Sequence, residues 1–447
     1  MHQLTSAFGL LALLAICWAA SNNRRAIPWR LVAWGTGLQL VFAVAILKTS
    51  PGYILFQWLT RAFERFVAFT DDGTRLVWGW LYQKDKPPVF FIDLLMVIIF
   101  FSAVMSLLYH FGVMQWIVVG IAKGMRKTMK TSGSETLAAA ANIFVGQTEA
   151  PLVVKPYLET MTLSELHAVM VGGFASIAGS VLAAYMNFGI DAGHMIAQSV
   201  MSAPASLVAA KMFYPETQVS VTAGDTPVKF ERSAVNALDA VCTGASDGMK
   251  LVLNVLAMLV AFVSIVAMVN WGFGRIHEGL TLQKMMGWVL APVAWLMGVP
   301  WKDCPSIGGL LGTRMILNEF VAYMELMKVD CSARAYVIST YALCGFANLG
   351  SVAIQIGGIS TIAPTRRADL ARLGMRAMLA GTLATFLTAS IAGALISDEE
   401  AERDFRRNKA RVAATPSEKI AHCDAFLAKY PQSRFAEEIR KLRSEAK

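Results

Sequence analysis

The stretch GQTEAP at residues 146–151, followed by GFASIAGSV at 173–181, returns in altered form as LNEF at 317–320 followed by GFANLGSV at 345–352. Each copy places a carboxylate, Glu149 or Glu319, ahead of a Gly-Phe-Ala segment that ends in Gly-Ser-Val. The intervals are 24 residues (149 to 173) and 26 residues (319 to 345). The chain therefore contains an internal repeat with an acid in otherwise apolar sequence.

An acid inside a membrane segment needs a reason to be there. Burying a carboxylate in hydrocarbon costs roughly 3 kcal/mol or more, so the group has a function or a partner. Interrupted helices at matching places in two halves of a chain are the best sequence indication of a transporter's binding site. We therefore place the function in this repeat.

The composition is that of a membrane protein with a polar tail. Of the 447 residues, 55% are hydrophobic and 16% are charged, whereas a soluble domain would have about a quarter charged residues. The last fifty residues contain 22 of the 71 charged side chains (40 basic and 31 acidic). The net charge of +9 comes from short basic clusters between apolar runs, which argues against a nucleic-acid partner. The six cysteines have no metal-binding spacing and are expected to be small apolar fillers.

Eight segments are apolar enough, and at about 20 residues long enough, to cross a bilayer as helices. They lie near residues 4–20, 31–48, 90–112, 163–188, 195–212, 248–271, 333–355 and 374–397. The first resembles a signal peptide, but its basic flank, Arg24 and Arg25, follows the apolar run instead of preceding it. We therefore expect a retained first helix with its N-terminus outside the cell.

Two further apolar regions, 116–158 and 286–328, are too broken to be simple crossings. The first is interrupted at 146–151, and the second at 298–300 and again at 307–309. Both are predicted to be re-entrant helical hairpins, which a membrane tolerates where the broken backbone is buried in protein. Ordinary spans with Gly and Pro kinks are the alternative.

The distribution of Lys and Arg predicts the orientation of these segments. With the N-terminus outside, the basic residues concentrate in the loops that would be cytoplasmic, namely 21–30, 113–131, 213–247 and 362–376. The third loop owes this charge to Lys229 and Arg232. The first hairpin would then enter from the cytoplasm and the second from outside, and the C-terminus would also be outside. The two copies would form an inverted repeat of the kind that underlies alternating access.

The expected organisation has six parts. Residues 1–112 would form mainly a scaffold, with an amphipathic interfacial helix near 53–82, where aromatic side chains mix with Arg and Asp. The transport domain would comprise two units of hairpin plus broken helix, 113–190 and 286–360. The remaining parts are two spans with a cytoplasmic loop at 191–285, a last span at 361–397 and a soluble, charged helical tail at 398–447. The tail faintly resembles one tetratricopeptide unit, which cannot bury its own apolar face, and we assign it no transport role.

The first hairpin tip offers an amide, a hydroxyl and a carboxylate in succession, Gln147, Thr148 and Glu149. These donors and acceptors match the edge of a nucleobase or an amide better than a simple anion. In the adjacent break, Ser176 and Ser180 would bind an ion together with freed backbone carbonyls, or would hydrogen-bond back to the preceding turn. Carbonyl groups of an unwound segment suit a sodium ion.

The second tip offers Glu319, and the second break offers Asn348 and Ser351. A carboxylate with an amide can hold the vicinal hydroxyls of a sugar, and Phe346 can stack against a ring. The ordinary alternatives are that Asn348 and Ser351 cap half-helices and that Phe346 only packs. The two glutamates would alternatively pair with basic residues, although Arg314 is the one such residue close to Glu319 in sequence.

At these residues the sequence resembles the concentrative nucleoside transporters. The resemblance rests on NIFVGQTEAPL at 142–152, LNEFVAY at 317–323 and CGFANLGS at 344–351, and it extends over about residues 1–397. It implies an all-α membrane protein with eight transmembrane helices, two re-entrant hairpins and interfacial helices. It also implies a homotrimer in which a transport domain moves across the bilayer like an elevator. The tail departs from the family pattern.

The resemblance also implies roles for individual residues. Gln147, Thr148 and Glu149 would contact the nucleobase. The ribose hydroxyls and the pocket shape would involve Glu319, Asn348, Ser351, Phe346 and Val181. Sodium would bind near Asn142, Val145, Ser176 and Ser180, and the presence of Asn142 and Ser176 favours sodium over protons.

Three functions remain to be compared. The first is a sodium-coupled importer of uridine-type nucleosides, with purine nucleosides left open, in the cell inner membrane. The second is a proton-coupled symporter with Glu149 or Glu319 as the proton site. The third is a membrane-embedded enzyme that uses the two glutamates as acid and base, although no nucleophile or metal set accompanies them.

Overall fold

The computed structural model describes residues 2–82, 91–92, 95–187, 189–223, 234–412, 416–433 and 435–446. These residues form helices and no strands, which confirms the predicted all-α class. In chain order the helices are α1 (His2–Ala19), α2 (Trp29–Lys48), α3 (Ser50–Ala68), α4 (Thr70–Trp78), α5 (Met96–His110), α6 (Val113–Met129), α7 (Gly133–Ala141), α8 (Ala150–Val153), α9 (Lys155–Leu158), α10 (Leu163–Ala175), α11 (Gly179–Asn187), α12 (Ala192–Phe213), α13 (Ala237–Ile276), α14 (Leu282–Leu296), α15 (Cys304–Ile316), α16 (Glu319–Leu326), α17 (Ala333–Leu343), α18 (Leu349–Ile362), α19 (Arg367–Leu395), α20 (Asp398–Val412), α21 (Pro416–Lys429) and α22 (Ala436–Glu445).

Five helical segments within the described residues are long and apolar enough to cross a membrane. They are His2–Ala19, Trp29–Lys48, Leu163–Met186, Ala237–Ile276 and Pro364–Leu395, and α5 with α6 forms a sixth only as a pair bent by 78°. Helix α12 and the broken pair α17–α18 occupy two more of the predicted segments. The count of eight spans stays a prediction, and so does the interfacial position of α3 and α4, which occupy the predicted amphipathic region. Lys229 and Arg232 lie outside the described residues, as do positions 90 and 93–94 of the predicted third span.

Two pairs of long helices form the frame of the bundle. Helix α5 packs along α13, where a methyl group on Gly244 or Gly248 would lie 2.6–2.8 Å from the α5 backbone. Helices α12 and α19 pack against each other and against α10. Helix α1 packs on α19, and α2 packs on α12. In the first half of the chain, α5 precedes the hairpin and α12 follows the broken helix. In the second half, α13 and α19 take these two places.

The two hairpins open at opposite ends of this bundle. At one end, which we call the Lys211 end, Lys211 forms an ion pair of 2.6 Å with Glu135 at the start of α7 and donates a 2.8 Å hydrogen bond to Ser164 at the start of α10. At the opposite end, which we call the Arg334 end after a residue in the first turn of α17, Ser332 donates hydrogen bonds to Asp303 at the start of α15. Helix α12 runs from the Arg334 end to the Lys211 end, so the two are about 33 Å apart. The re-entrant character of the two hairpins and their inverted orientation in a membrane stay predictions.

The second hairpin differs from its prediction in one respect. The segment 307–309 was expected to be a break, but it lies inside the continuous helix α15. Its glycines serve close packing instead, since a methyl group on Gly308 would lie 2.6 Å from the carbonyl oxygen of Gly287 in α14. The helix ends later, at Ile316, and two residues on, Asn318 caps the next helix by accepting a 3.0 Å hydrogen bond from the Val321 amide.

The tail, α20–α22, packs on the Arg334 end. Asn408 donates hydrogen bonds to the carbonyl of Gly189 at 2.7 Å and to the Tyr336 hydroxyl at 3.1 Å. Arg407 pairs with Asp191, and Arg411 pairs with Glu64 in α3. A small core that includes Phe426, Phe435 and Ile439 joins the last two helices to α20. The tail is thus docked on the bundle.

Candidate functional site

The first hairpin tip lies directly on the first helix break. The chain between α10 and α11 is unwound at residues 176–178, and the amide of Gly179 donates a 3.0 Å hydrogen bond to the carbonyl of Phe144 in the tip. A methyl group added to Gly173 would lie 2.8 Å from Cβ of Gln147, and one on Gly146 would lie 3.3 Å from Cβ of Ala178. Small residues therefore let the tip approach the broken helix.

The two breaks also contact each other. The amide of Phe346 in the second break donates a 3.2 Å hydrogen bond to the carbonyl of Ser176 in the first. The side-chain amide of Gln198, on α12, donates to the carbonyl of Ala175 at 3.3 Å and to the carbonyl of Cys344 at 2.5 Å. These acceptors lie at the ends of the half-helices α10 and α17, so one side chain satisfies unpaired carbonyls from both repeats.

A hydrogen-bonded network connects the two tips and the second break. On the first-tip side, Gln355 donates to Oε1 of Gln147 at 3.1 Å, and Nε2 of Gln147 donates to the Ser351 hydroxyl at 3.1 Å. On the second-tip side, the Ser351 amide donates to Oδ1 of Asn348 at 2.8 Å, and Nδ2 of Asn348 donates to Glu319 at 3.1 Å. Predicted site residues from both repeats therefore meet.

The second carboxylate is held without a basic partner. Tyr185 on α11 donates a 2.9 Å hydrogen bond to Oε1 of Glu319, and Asn348 occupies Oε2. Glu319 is only 2% exposed. In the described part of the chain it forms no ion pair, so the alternative of a structural pairing with Arg314 is not what the structure shows. Asn348 caps α18, which was the ordinary alternative predicted for it. Its side-chain nitrogen still donates a hydrogen bond to the carboxylate of Glu319.

Other predicted site residues lie beside this network. Thr148 and Glu149 are exposed at the tip, and Oε2 of Glu149 accepts a 3.1 Å hydrogen bond from the amide of Gly146. Phe346 is half-buried in the second break, and Val181 is buried in the first turn of α11. None of these four joins the network, and the structure leaves their contact with a solute as a prediction.

Two of the expected sodium ligands, Asn142 and Ser176, lie at the end of α10. Asn142 closes α7 next to Gly172, and the Ser176 hydroxyl donates a 2.9 Å hydrogen bond to the Gly172 carbonyl, which is the ordinary alternative predicted for it. Nδ2 of Asn142 donates to the Ala138 carbonyl, but its Oδ1 is buried and has no hydrogen-bond partner among the described residues. Val145 and Ser180 are also buried, and their part in this site stays a prediction. A buried oxygen without a donor is what a cation ligand requires.

Three residues of the site were not predicted from the sequence: Tyr185, Gln198 and Gln355. Each is a polar side chain in an apolar helix, and each is completely buried. That combination was a usable signal, because a buried polar group needs a partner. A cavity of about 650 Å³ lies elsewhere, between the tail and the bundle, and residues of the network do not line it.

Three sequence profiles match the chain. They are described as Na+ dependent nucleoside transporter N-terminus at residues 8–81, Nucleoside recognition at 91–191, and Na+ dependent nucleoside transporter C-terminus at 194–393. The human sodium/nucleoside cotransporter 1 is 40% identical over 96% of this chain and 70% of its own length. This chain belongs to the sodium-dependent nucleoside transporter family.

Other family members are similar to a comparable degree. Sodium/nucleoside cotransporter 1 of Rattus norvegicus is 44% identical over 90% of this chain, which spans 65% of that relative. A solved structure described as CNTnw in an inward-facing substrate-bound state has 41% identity and a TM-score of 0.85, covering 88% of this chain and 98% of that one. An outward-facing variant of CNTnw has a TM-score of 0.83 at 40% identity, with the same coverage. The matched fold is thus known in an inward-facing and an outward-facing state.

Proposed function

We propose that this chain is a symporter that imports nucleosides together with sodium by alternating access. The observation that carries the proposal is the network from Gln355 through Gln147, Ser351 and Asn348 to Glu319. Its members come from both repeats, and they present amide, hydroxyl and carboxylate groups at one place. A solute with both an amide-like edge and hydroxyl groups would replace these internal hydrogen bonds.

The two ends of the network suit different parts of a nucleoside. Gln147, with Thr148 and Glu149 exposed beside it, would contact the nucleobase through paired donors and acceptors. At the other end, Glu319 and Asn348 would hold the ribose hydroxyls. Ser351 would also contact the ribose, and Phe346 and Val181 would form the apolar walls of the pocket.

Sodium would be the co-transported ion, bound where Asn142 meets the first break. The free Oδ1 of Asn142, the Val145 carbonyl and the hydroxyls of Ser176 and Ser180 are oxygen ligands, which hard cations prefer. Entry of sodium down the membrane potential supplies about 2.3 kcal/mol per charge per 100 mV. One ion per solute would support roughly a fiftyfold solute gradient, since about 1.4 kcal/mol corresponds to tenfold.

The moving and fixed parts are proposed from the packing. Helices α5 and α13 would form the scaffold, and the hairpins with the broken helices and α12 and α19 would move as the elevator. Within residues 1–112 we assign α3–α5 to the scaffold, because α1 and α2 pack on α19 and α12. Much of α13 is exposed, including Leu253, Val260 and Trp271. This apolar face would contact lipid and the neighbouring copies of a homotrimer.

The proposed location is the cell inner membrane, with both termini and the Arg334 end outside. Single cysteines introduced at Thr148 and at Lys302 would test this orientation. An impermeant thiol reagent should label the cysteine at 302 from outside intact cells and should not reach the one at 148 in the inward-facing state. Labelling of both from the same side would contradict the inverted repeat.

The transport itself is tested by uptake of radiolabelled uridine into proteoliposomes. With a sodium gradient we expect accumulation above the equilibrium level, and with choline in place of sodium we expect none. Competing nucleosides should reduce the signal. Uptake that is unchanged in choline and depends steeply on pH would establish the proton-coupled alternative instead.

A further inference from the structure

The two helix breaks differ in which groups face the carbonyls that have no partner within their own helix. Helices α10 and α17 both end at a break, and the last carbonyls of a helix carry a partial negative charge of about half an electron. At the end of α17 the guanidinium of Arg314 meets these groups. It donates to the carbonyls of Ala342 at 2.6 Å and Gly345 at 3.1 Å, and to the Thr385 hydroxyl at 2.9 Å.

Arg314 is completely buried, and its hydrogen-bond partners among the described residues are carbonyls and a hydroxyl, not a carboxylate. Glu319, five residues further on, gives its two oxygens to Tyr185 and Asn348. Across the described ranges no ion pair involves Arg314, and its Nη2 has no hydrogen-bond partner there. A buried positive charge held by carbonyls and a hydroxyl has the surroundings of an alkali ion rather than those of a salt bridge.

The first repeat has no such side chain at the corresponding place. Between residues 133 and 187 the basic residues are Lys155 and His167. Lys155 is exposed on α9, and His167 lies eight residues before the end of α10, about 12 Å away along the helix. The end of α10 instead faces Asn142, with its unpartnered Oδ1.

We propose that Arg314 is the built-in cation of the second break, and that the exchangeable sodium ion is its counterpart at the first. This inference rests on the proposed function. Arg314 acts as a positioning residue: it holds the carbonyls of Ala342 and Gly345, and thereby fixes the following segment, which presents Asn348 to Glu319. It shapes the ribose end of the site without contacting the solute.

The test is calorimetric binding of uridine and of 2′,3′-dideoxyuridine to the full-length chain in saturating sodium. The wild type should prefer uridine. Arg314→Ala should weaken uridine binding by about tenfold or more, the effect of a lost charge-assisted contact, and should reduce the preference for uridine. Added guanidinium ion should restore both, whereas choline at the same concentration should not. An unchanged preference in folded Arg314→Ala would overturn the inference, and so would the absence of recovery with guanidinium.

A second variant and a matched control complete the test. If Arg314→Ala does not fold, Arg314→Lys is decisive: it keeps the charge at the break but loses the planar fork, so it should still prefer uridine, and complete loss of that preference would overturn the inference. Arg366 is a buried arginine that donates to the carbonyls of Leu158 and Met161 at the Lys211 end. Arg366→Ala should lower the melting temperature but leave the preference unchanged. A wild-type chain that binds no uridine would contradict the proposed function itself, which is a different outcome.

Discussion

The side-chain nitrogen of Gln147 lies 3.1 Å from the hydroxyl oxygen of Ser351, although 204 residues separate them in the chain. One belongs to the tip of the first hairpin and the other to the broken helix of the second repeat. Contact within a repeat would need only local folding, but this contact requires the two halves to be docked in register. The proposed site therefore exists only when both repeats are assembled.

This relationship can be measured as a coupling energy. Gln147→Ala, Ser351→Ala and the double variant should show a coupling of about 1 kcal/mol in the free energy of unfolding when no nucleoside is present. A bound nucleoside would take over both groups, so the coupling should disappear in saturating uridine. Thermal melting with and without uridine provides the measurement. Equal coupling in both conditions would mean that the pair is structural only.

Replacement of the buried carboxylate should separate binding from folding. Glu319→Gln keeps the shape of the side chain but loses the charge that accepts from Tyr185 and Asn348, so uridine uptake should fall by about a hundredfold, corresponding to roughly 2–3 kcal/mol. Expression and oligomeric state should not change. Glu325→Gln is the matched control, because Glu325 lies on the same helix and bonds only to Thr313 among its described contacts. Normal uptake by Glu319→Gln would remove the ribose role.

The close approach of the first tip to α10 predicts the effect of one methyl group. A Cβ at position 173 would lie 2.7 Å from Nε2 of Gln355 and 2.8 Å from Cβ of Gln147. Gly173→Ala should therefore displace the tip and weaken uridine binding at least tenfold, by about 1.4 kcal/mol or more. Gly124→Ala, on α6 with open space around it, should bind like the wild type. Calorimetry decides, and equal affinities for the two variants would contradict the tip geometry.

The attachment of the tail should resist acid. Burial would raise the pKa of Asp191, but the charges of Arg407, His194 and Arg411 outweigh it and hold that pKa well below its usual range. The ionised carboxylate therefore stabilises docking. That contribution is complete above the unfolded value of about 3.9 and is lost as the pH falls through the lower folded value.

Docking should accordingly not weaken between pH 7 and about pH 4, and should be lost only in stronger acid. A dye on a cysteine introduced at Glu437, which lines the cavity beneath the tail, would report release. Asp191→Asn should release the tail at neutral pH, whereas Lys441→Ala, which removes an exposed pair with Glu445, should not. Release of the wild-type tail between pH 7 and pH 5 would show that another group controls docking.

Much of the site was predictable because the repeat marks it in the sequence. A tip and a break that recur in both halves identify Gln147, Glu319, Asn348 and Ser351 without knowledge of the fold, and the structure joins these four in one network. The sodium role of Asn142, by contrast, was implied only by the resemblance to the concentrative nucleoside transporters. The boundaries of the second hairpin were harder to predict from the sequence. Glycines such as those at 308 and 309 break a helix in one context and allow close helix packing in another.

The supporting residues were not predictable from periodicity. Tyr185, Gln198 and Gln355 lie on three different helices, α11, α12 and α18, and what brings them together at the breaks is the packing of one repeat against the other. Gln198 contacts both repeats from α12, a relation that no local pattern encodes. The ion-like role that we infer for Arg314 likewise depends on the carbonyls that α17 leaves unpaired, which only the assembled structure presents.

Equilibrium binding of uridine to the purified chain, titrated with sodium, tests the central claim most directly. If the two repeats form one nucleoside site whose first break is completed by sodium, the affinity should rise at least tenfold from choline to saturating sodium, and Asn142→Ala should abolish that rise while leaving the fold intact. Uridine binding of equal strength in choline and in sodium, or no binding in either, would contradict the account.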